Sequence, residues 1–137
     1  MDDVLQRHAL SKRMRGIRHR LGYHPDYPQY SEAKHDNFLT DVKWIEGFGL
    51  LEKYQMSFEM IILPRQMKRY DKYATTLQRC GLISLFPLSA ADVIKQYPNI
   101  MVMVNHGGLP YVRDEPTMKL WKEGNDILMN SHFIVLA

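Results

Sequence analysis

The sequence predicts an α/β fold in which parallel β/α units form about half of a TIM-type barrel. Strand-like and helix-like apolar patterns alternate along the chain, as in a parallel sheet covered by crossover helices. The 137 residues suit one domain, 1–137, and fall well short of the roughly 250 residues of a closed eight-unit barrel. A doubly wound open sheet would be complete at this length, so the alternation alone leaves both architectures open.

Two strands and a helix are predicted in the first half of the chain. Residues 15–20 (RGIRHR) form a weak strand, followed by a loop rich in Pro, Tyr and Asp. A helix begins after Thr40 or Asp41, because apolar residues then recur at steps of three and four up to Tyr54. Residues 57–63 (SFEMIIL) are a nearly continuous apolar run ended by a proline, which predicts a strand covered on both faces.

The second half repeats the alternation. Ser89 and Asp92 make a capping-box-like start for a helix that stops at Pro98. Residues 100–104 (IMVMV) are wholly apolar and form the clearest strand of the chain. A further helix over 117–126 and a final strand within 127–136 complete the order, and residues 68–88 look like an insertion.

Composition excludes several function classes. Hydrophobic residues at 45% and charged residues at 24% are close to globular averages, which predicts a folded domain. The basic excess is confined to residues 1–20, interpreted as a solvated arm, so nucleic acid is not expected as a partner. The single cysteine, Cys80, excludes an intrachain disulfide, and no apolar run approaches 18 residues. We therefore predict a cytoplasmic protein that does not bind membranes.

Polar side chains at the ends of the predicted strands are the candidate site residues. Ligands of parallel β/α folds bind beyond the carboxyl ends of the strands. Arg18, Gln66, Asn105 and His106 lie at or near these ends, and no glycine-rich nucleotide-binding motif is present. His106 is the best candidate for proton transfer or metal binding, because two glycines follow it. The alternative is an imidazole that simply bonds a nearby carbonyl.

Several motifs occur in one fixed order: GIR, YHPDYP, WIEGFGLLEKY, SFE, PRQM and NHGGLP. In this combination, over about residues 15–125, the chain resembles the amidohydrolase-related (amidohydrolase 2) family, in its lactonase-like branch. The resemblance implies a β/α barrel that hydrolyses a small lactone or a related cyclic ester or amide. It also implies a divalent metal, zinc or manganese, in some members.

The resemblance assigns roles to three of these residues, and Asn105 is a candidate because it follows the strand at 100–104, next to His106. His106 in NHGGLP matches a histidine at the end of the sixth barrel strand, which is a metal ligand or a substrate-polarising group and is predicted here as catalytic. Gln66 in PRQM matches a polar position at the fifth strand, and Arg18 in GIR matches an arginine near the substrate at the fourth. Arg18, Gln66 and Asn105 are therefore predicted to bind substrate.

The chain also departs from the family pattern. It has no His-x-His pair and no segment carrying the family's eighth-strand Asp, so no metal ligand set is predicted within one chain. Two hypotheses follow. One is an active hydrolase. The other is an inactive half-barrel that binds a small anion or assembles with a partner chain, such as a homodimer that covers the open sheet edges.

Overall fold

The computed structural model describes residues 1–68 and 89–130, together with the backbone of a short strand at 134–136. The predicted insertion at 68–88 therefore lies outside the described residues, apart from Lys68. Five helices and four strands are present in the described part, with short 3-10 turns at Pro28–Tyr30, Phe38–Thr40 and Asn105–Gly107. In chain order they are α1 (Asp2–Ala9), β1 (Gly16–Arg20), α2 (Val42–Lys53), β2 (Ser57–Ile61), α3 (Pro64–Met67), α4 (Ala90–Gln96), β3 (Val102–Val104), α5 (Glu115–Met129) and β4 (Ile134–Leu136).

The four strands form one parallel sheet whose spatial order is the chain order, β1-β2-β3-β4. Ile17 lies beside Phe58, Phe58 beside Val102, and Val102 beside Ile134. A doubly wound sheet reverses its strand order part-way, and this sheet does not. The predicted α/β class with parallel β/α units is confirmed.

One face of the sheet packs on the helices. Phe58 and Met60 of β2 and Val102 and Val104 of β3 belong to a single buried hydrophobic cluster. The same cluster contains side chains from α2, α4 and α5, namely Phe48, Leu51, Val93, Ile94 and Leu128. Right-handed crossovers between neighbouring parallel strands place consecutive helices on the same face, which accounts for this one-sided core.

Side-chain caps fix two helix starts at the predicted positions. The Asp41 carboxylate accepts hydrogen bonds from the backbone N–H groups of Lys43 and Trp44. The Ser89 hydroxyl accepts from the N–H of Asp92 and begins α4. Each cap satisfies donors that the first turn of a helix leaves without partners.

Three predictions need correction. Residues 2–9 are not a solvated arm but the helix α1, which buries Leu5 in the core to 2% exposure. Helix α5 runs to Met129, into the segment predicted as strand. The strand at 57–63 is covered only in part on its second face: Glu59, opposite Phe58 and Met60, is half-buried, whereas Ile61 on the same side as Glu59 is 4% exposed. None of the helices in the described ranges is long and apolar enough to cross a bilayer.

Candidate functional site

The sheet face opposite the helices carries a row of three polar residues. Arg18 pairs with Glu59 across β1 and β2, so both side chains project from this face. The Nε atom of Arg18 donates to Oε2 of Glu59 at 2.5 Å, and a second guanidinium nitrogen forms an ion pair with the same oxygen. Nδ2 of Asn105 donates to that oxygen at 3.3 Å. Two predicted site residues, Arg18 and Asn105, are thus held together by one carboxylate.

Glu59 is the site residue that the sequence analysis missed. The hydrogen bond from Arg18 lowers the pKa of the Glu59 carboxyl, and the bond from Asn105 acts in the same direction. The carboxylate therefore stays ionised at neutral pH, where it accepts hydrogen bonds and donates none. The sequence offered one signal for this residue, because Glu59 is the only charged residue in the run 57–63 (SFEMIIL).

The turn after β3 presents His106 to solvent. His106, Gly107 and Gly108 have φ values of 55°, 58° and 80°, so three successive residues adopt the left-handed conformation. This confirms that the glycine pair permits unusual backbone angles next to His106. The His106 side chain is exposed, and no hydrogen bond to its imidazole occurs among residues 1–68 and 89–130. Its ring is thus accessible for contact with a ligand.

Helix α5 holds this turn in place. The carbonyl oxygen of Gly107 accepts from Nε1 of Trp121 at 2.7 Å and from Nδ2 of Asn125 at 3.3 Å. Asn125 also donates to the carbonyl of Trp121 within the helix. Because these bonds end on the residue after His106, they restrict where its imidazole can lie.

Gln66 occupies a buried position in α3, with 5% of its surface exposed. Its Oε1 accepts from the N–H groups of Leu63 and Tyr23, at 3.1 and 3.2 Å. Its Nε2 donates to the carbonyl of Leu21 and to Oδ1 of Asp36, both at 2.9 Å. These four bonds use the full hydrogen-bonding capacity of the amide. In this structure Gln66 positions the loop after β1, and its predicted contact with substrate stays a prediction.

An aromatic cluster joins the loop after β1 to the loop after β3. Its rings have centroid separations of 4.9 to 6.2 Å and belong to His24, Tyr27, Tyr30 and Tyr111. Arg65 donates to the carbonyl of Tyr23 and forms a 2.9 Å ion pair with Asp36. Burial, followed by the charge of Arg65, lowers the pKa of His24. These contacts hold the two loops at the end of the sheet where the turn after β3 lies.

The structure therefore links Arg18 and Asn105 through the carboxylate of Glu59, and His106 follows Asn105 in the chain. Within the described residues, the side chain of Gln66 forms no hydrogen bond to this row, although it orders the loop that continues from β1. The described residues contain no group of three or more His, Cys, Asp or Glu side chains that could hold a metal ion.

Comparisons with protein-family models, with curated proteins and with solved structures found no match to this chain. The family named from the motifs is therefore an expectation that rests on those motifs.

Proposed function

We propose that this chain is part of a TIM-type β/α barrel of the amidohydrolase-related kind and hydrolyses a small lactone or a related cyclic ester or amide in the cytoplasm. The row formed by Arg18, Glu59 and Asn105, directly before His106, is the observation that carries this proposal. The sequential order of the parallel strands supports the architecture, since barrel strands follow one another in the same way.

Each residue of the row has a role in this reaction. Arg18, with 58% of its side chain exposed, binds the carboxylate or ring oxygen of the substrate with its planar guanidinium. Asn105 donates a hydrogen bond to the substrate, and His106 polarises the scissile carbonyl or orients the attacking water. Glu59 remains an anion and holds Arg18 and Asn105 in place.

The divalent metal implied by the resemblance does not fit the described residues. A zinc site needs at least three protein ligands, and no such group is present in the described ranges. The carboxylate that reaches Asn105 is already ion-paired with Arg18. No step of the proposed reaction is therefore assigned to a metal.

A second candidate is an inactive half-barrel that binds a small anion or pairs with a second copy. The ion pair between Arg18 and Glu59 favours an inactive half-barrel, because an ionised Glu59 carboxylate cannot donate a proton as a general acid. The open face favours pairing, since Arg18, Glu59 and Met103 lie side by side away from the helix-packed core. Parallel sheets are as a rule covered on both faces, so a second copy would complete the cover.

The test is hydrolysis of a panel of small lactones by the full chain, with and without zinc or manganese. We expect turnover, and a loss of about 100-fold or more in kcat/KM for His106→Ala. The matched control, His35→Ala, changes another exposed histidine, whose ring packs on Phe38, and should retain full activity. Turnover that survives His106→Ala would exclude the proposed role of this residue.

Absence of turnover on the whole panel would overturn the hydrolase proposal. Titration with a small carboxylate then tests the second candidate, with Arg18→Gln as the variant expected to lose binding. A solution mass of about twice 16.1 kDa would support pairing of two copies, and a monomeric mass would contradict it.

A further inference from the structure

The helix-covered side of the sheet contains a pocket that the proposed reaction does not use. It lies between α1, β1 and α2 and has a volume of about 240 Å³. For comparison, an apolar cavity of about 150 Å³ accommodates benzene. Most of its wall is apolar and is formed by Val4, Leu5, Ile17, Trp44, Phe48 and Phe58.

A glycine on α2 contributes to this space. Gly47 lines the pocket, and a Cβ atom built there would meet only ordinary contacts, the nearest being Cγ of Met1 at 3.7 Å. At Gly49, two residues further along α2, a Cβ atom would lie 2.5 Å from the ring of Tyr97. Packing therefore requires glycine at 49 but not at 47. A glycine inside a helix lowers stability by about 0.5 to 1 kcal/mol relative to alanine. Gly47 therefore leaves space in the pocket at a cost in helix stability.

The polar groups that line the pocket are basic or neutral. Nδ1 of His19 accepts a 3.0 Å hydrogen bond from the indole of Trp44, so the other ring nitrogen of the neutral imidazole carries the hydrogen. The charged residues in the lining are Arg18 and Lys43, with His8 as a further basic group, and the lining includes no acidic residue. The Arg18 guanidinium is ion-paired with Glu59, so Lys43 is the cation of the lining that an anion at the mouth would meet.

We infer that this pocket binds a small monocarboxylic acid with a single aromatic ring or a short acyl chain. The ring or chain fills the apolar space beside Trp44 and Phe48. The carboxylate remains at the mouth, where Lys43 provides a cation. The inference does not depend on the hydrolase proposal, because it requires no chemical step and no contact with the Arg18 guanidinium, which is paired with Glu59.

Calorimetric titration of the full chain with benzoate tests the inference. Gly47→Leu fills the pocket and should weaken benzoate binding by about tenfold or more. Glu46→Leu adds the same side chain at an exposed position of the same helix and should leave binding unchanged. Lys43→Gln should weaken binding of benzoate but not of benzyl alcohol, which has the same ring without the charge.

Nuclear Overhauser contacts in the wild-type protein locate the ligand without any variant. We expect contacts between the benzoate ring protons and the side chains of Trp44 and Phe48. Failure of benzoate to bind, equal affinity in Gly47→Leu, or contacts confined to another part of the chain would each overturn the inference.

Discussion

The two faces of the sheet differ in what they carry. On the helix-covered face, Met60, Val102 and Val104 are each 0% exposed and belong to the core cluster. On the other face, the neighbours in register are Glu59, which binds Arg18, and the partly buried Met103. The strands alternate between the faces with a period of two. Alternate residues of each strand therefore supply the core on one side and the candidate site on the other.

This division separates stability from function. Burial of apolar side chains is the dominant favourable contribution to folding, whereas an exposed ion pair contributes little. Substitutions on the helix-covered face should therefore change the free energy of unfolding. Substitutions on the open face should change ligand binding and leave unfolding nearly unaffected.

The largest expected effect is that of Met60→Ala. Met60 is completely buried, so its truncation removes apolar contacts and leaves a cavity, at a cost of about 2 to 5 kcal/mol. Met101→Ala is the matched control at a 51% exposed position directly before β3, and should change stability by about 0.5 kcal/mol or less. Urea denaturation measures both values.

The control also tests whether exposed positions of the structure stay exposed in solution. A cost for Met101→Ala as large as that for Met60→Ala would mean that Met101 is covered in solution. A denaturation midpoint that depends on protein concentration would identify a second copy as the cover.

Gly108→Ala tests how closely the turn after β3 packs against the core. Gly108 has a φ of 80°, and a Cβ atom there would lie 1.7 Å from Cε of the buried Met67. The left-handed backbone costs about 1 kcal/mol for alanine and overpacking adds about 1 to 3, giving about 2 to 4 kcal/mol in urea denaturation.

Gly107→Ala separates the two causes of this cost. Gly107 has a φ of 58°, but a Cβ atom there would meet nothing closer than 3.9 Å. Only the backbone cost of about 1 kcal/mol should remain. Equal losses for the two glycine variants would show that Met67 does not restrict the turn.

The fold was largely predictable because its signals are local. The apolar runs at 57–63 and 100–104 contain β2 and β3, and the caps at Asp41 and Ser89 begin the predicted helices. Helix α1 was not predictable in this way. It has eight residues, of which only Leu5 is buried, and so few residues give no clear helical period. Its position depends on packing against α2.

The candidate site was predictable only in part. Strand ends identified Arg18, Asn105 and His106, but the contact between Arg18 and Glu59 spans 41 positions of sequence. That contact depends on the register between β1 and β2, which no local pattern specifies. Three of the four hydrogen bonds of Gln66 are tertiary in the same sense, since they reach Leu21, Tyr23 and Asp36.

The smallest expected effect concerns the pH dependence of stability. Burial lowers the pKa of His19, which lies on the helix-covered face against Trp44. Between this lowered pKa and the ordinary value of 6.5, the unfolded chain binds more protons than the folded protein. Stability should therefore fall as the pH decreases through 6.5 and level off below the folded pKa.

His19→Gln removes this titration and retains an acceptor for the Trp44 indole. We expect a shallower loss of stability between pH 7 and pH 5, measured as the urea midpoint at each pH. His24 also has a lowered pKa. The variant His24→Gln therefore measures how much His24 contributes to the pH dependence of stability. If His19→Gln left the slope unchanged while His24→Gln removed it, the aromatic cluster would be the pH-sensitive part of the protein. The helix-covered face would then contribute to stability independently of pH in this range.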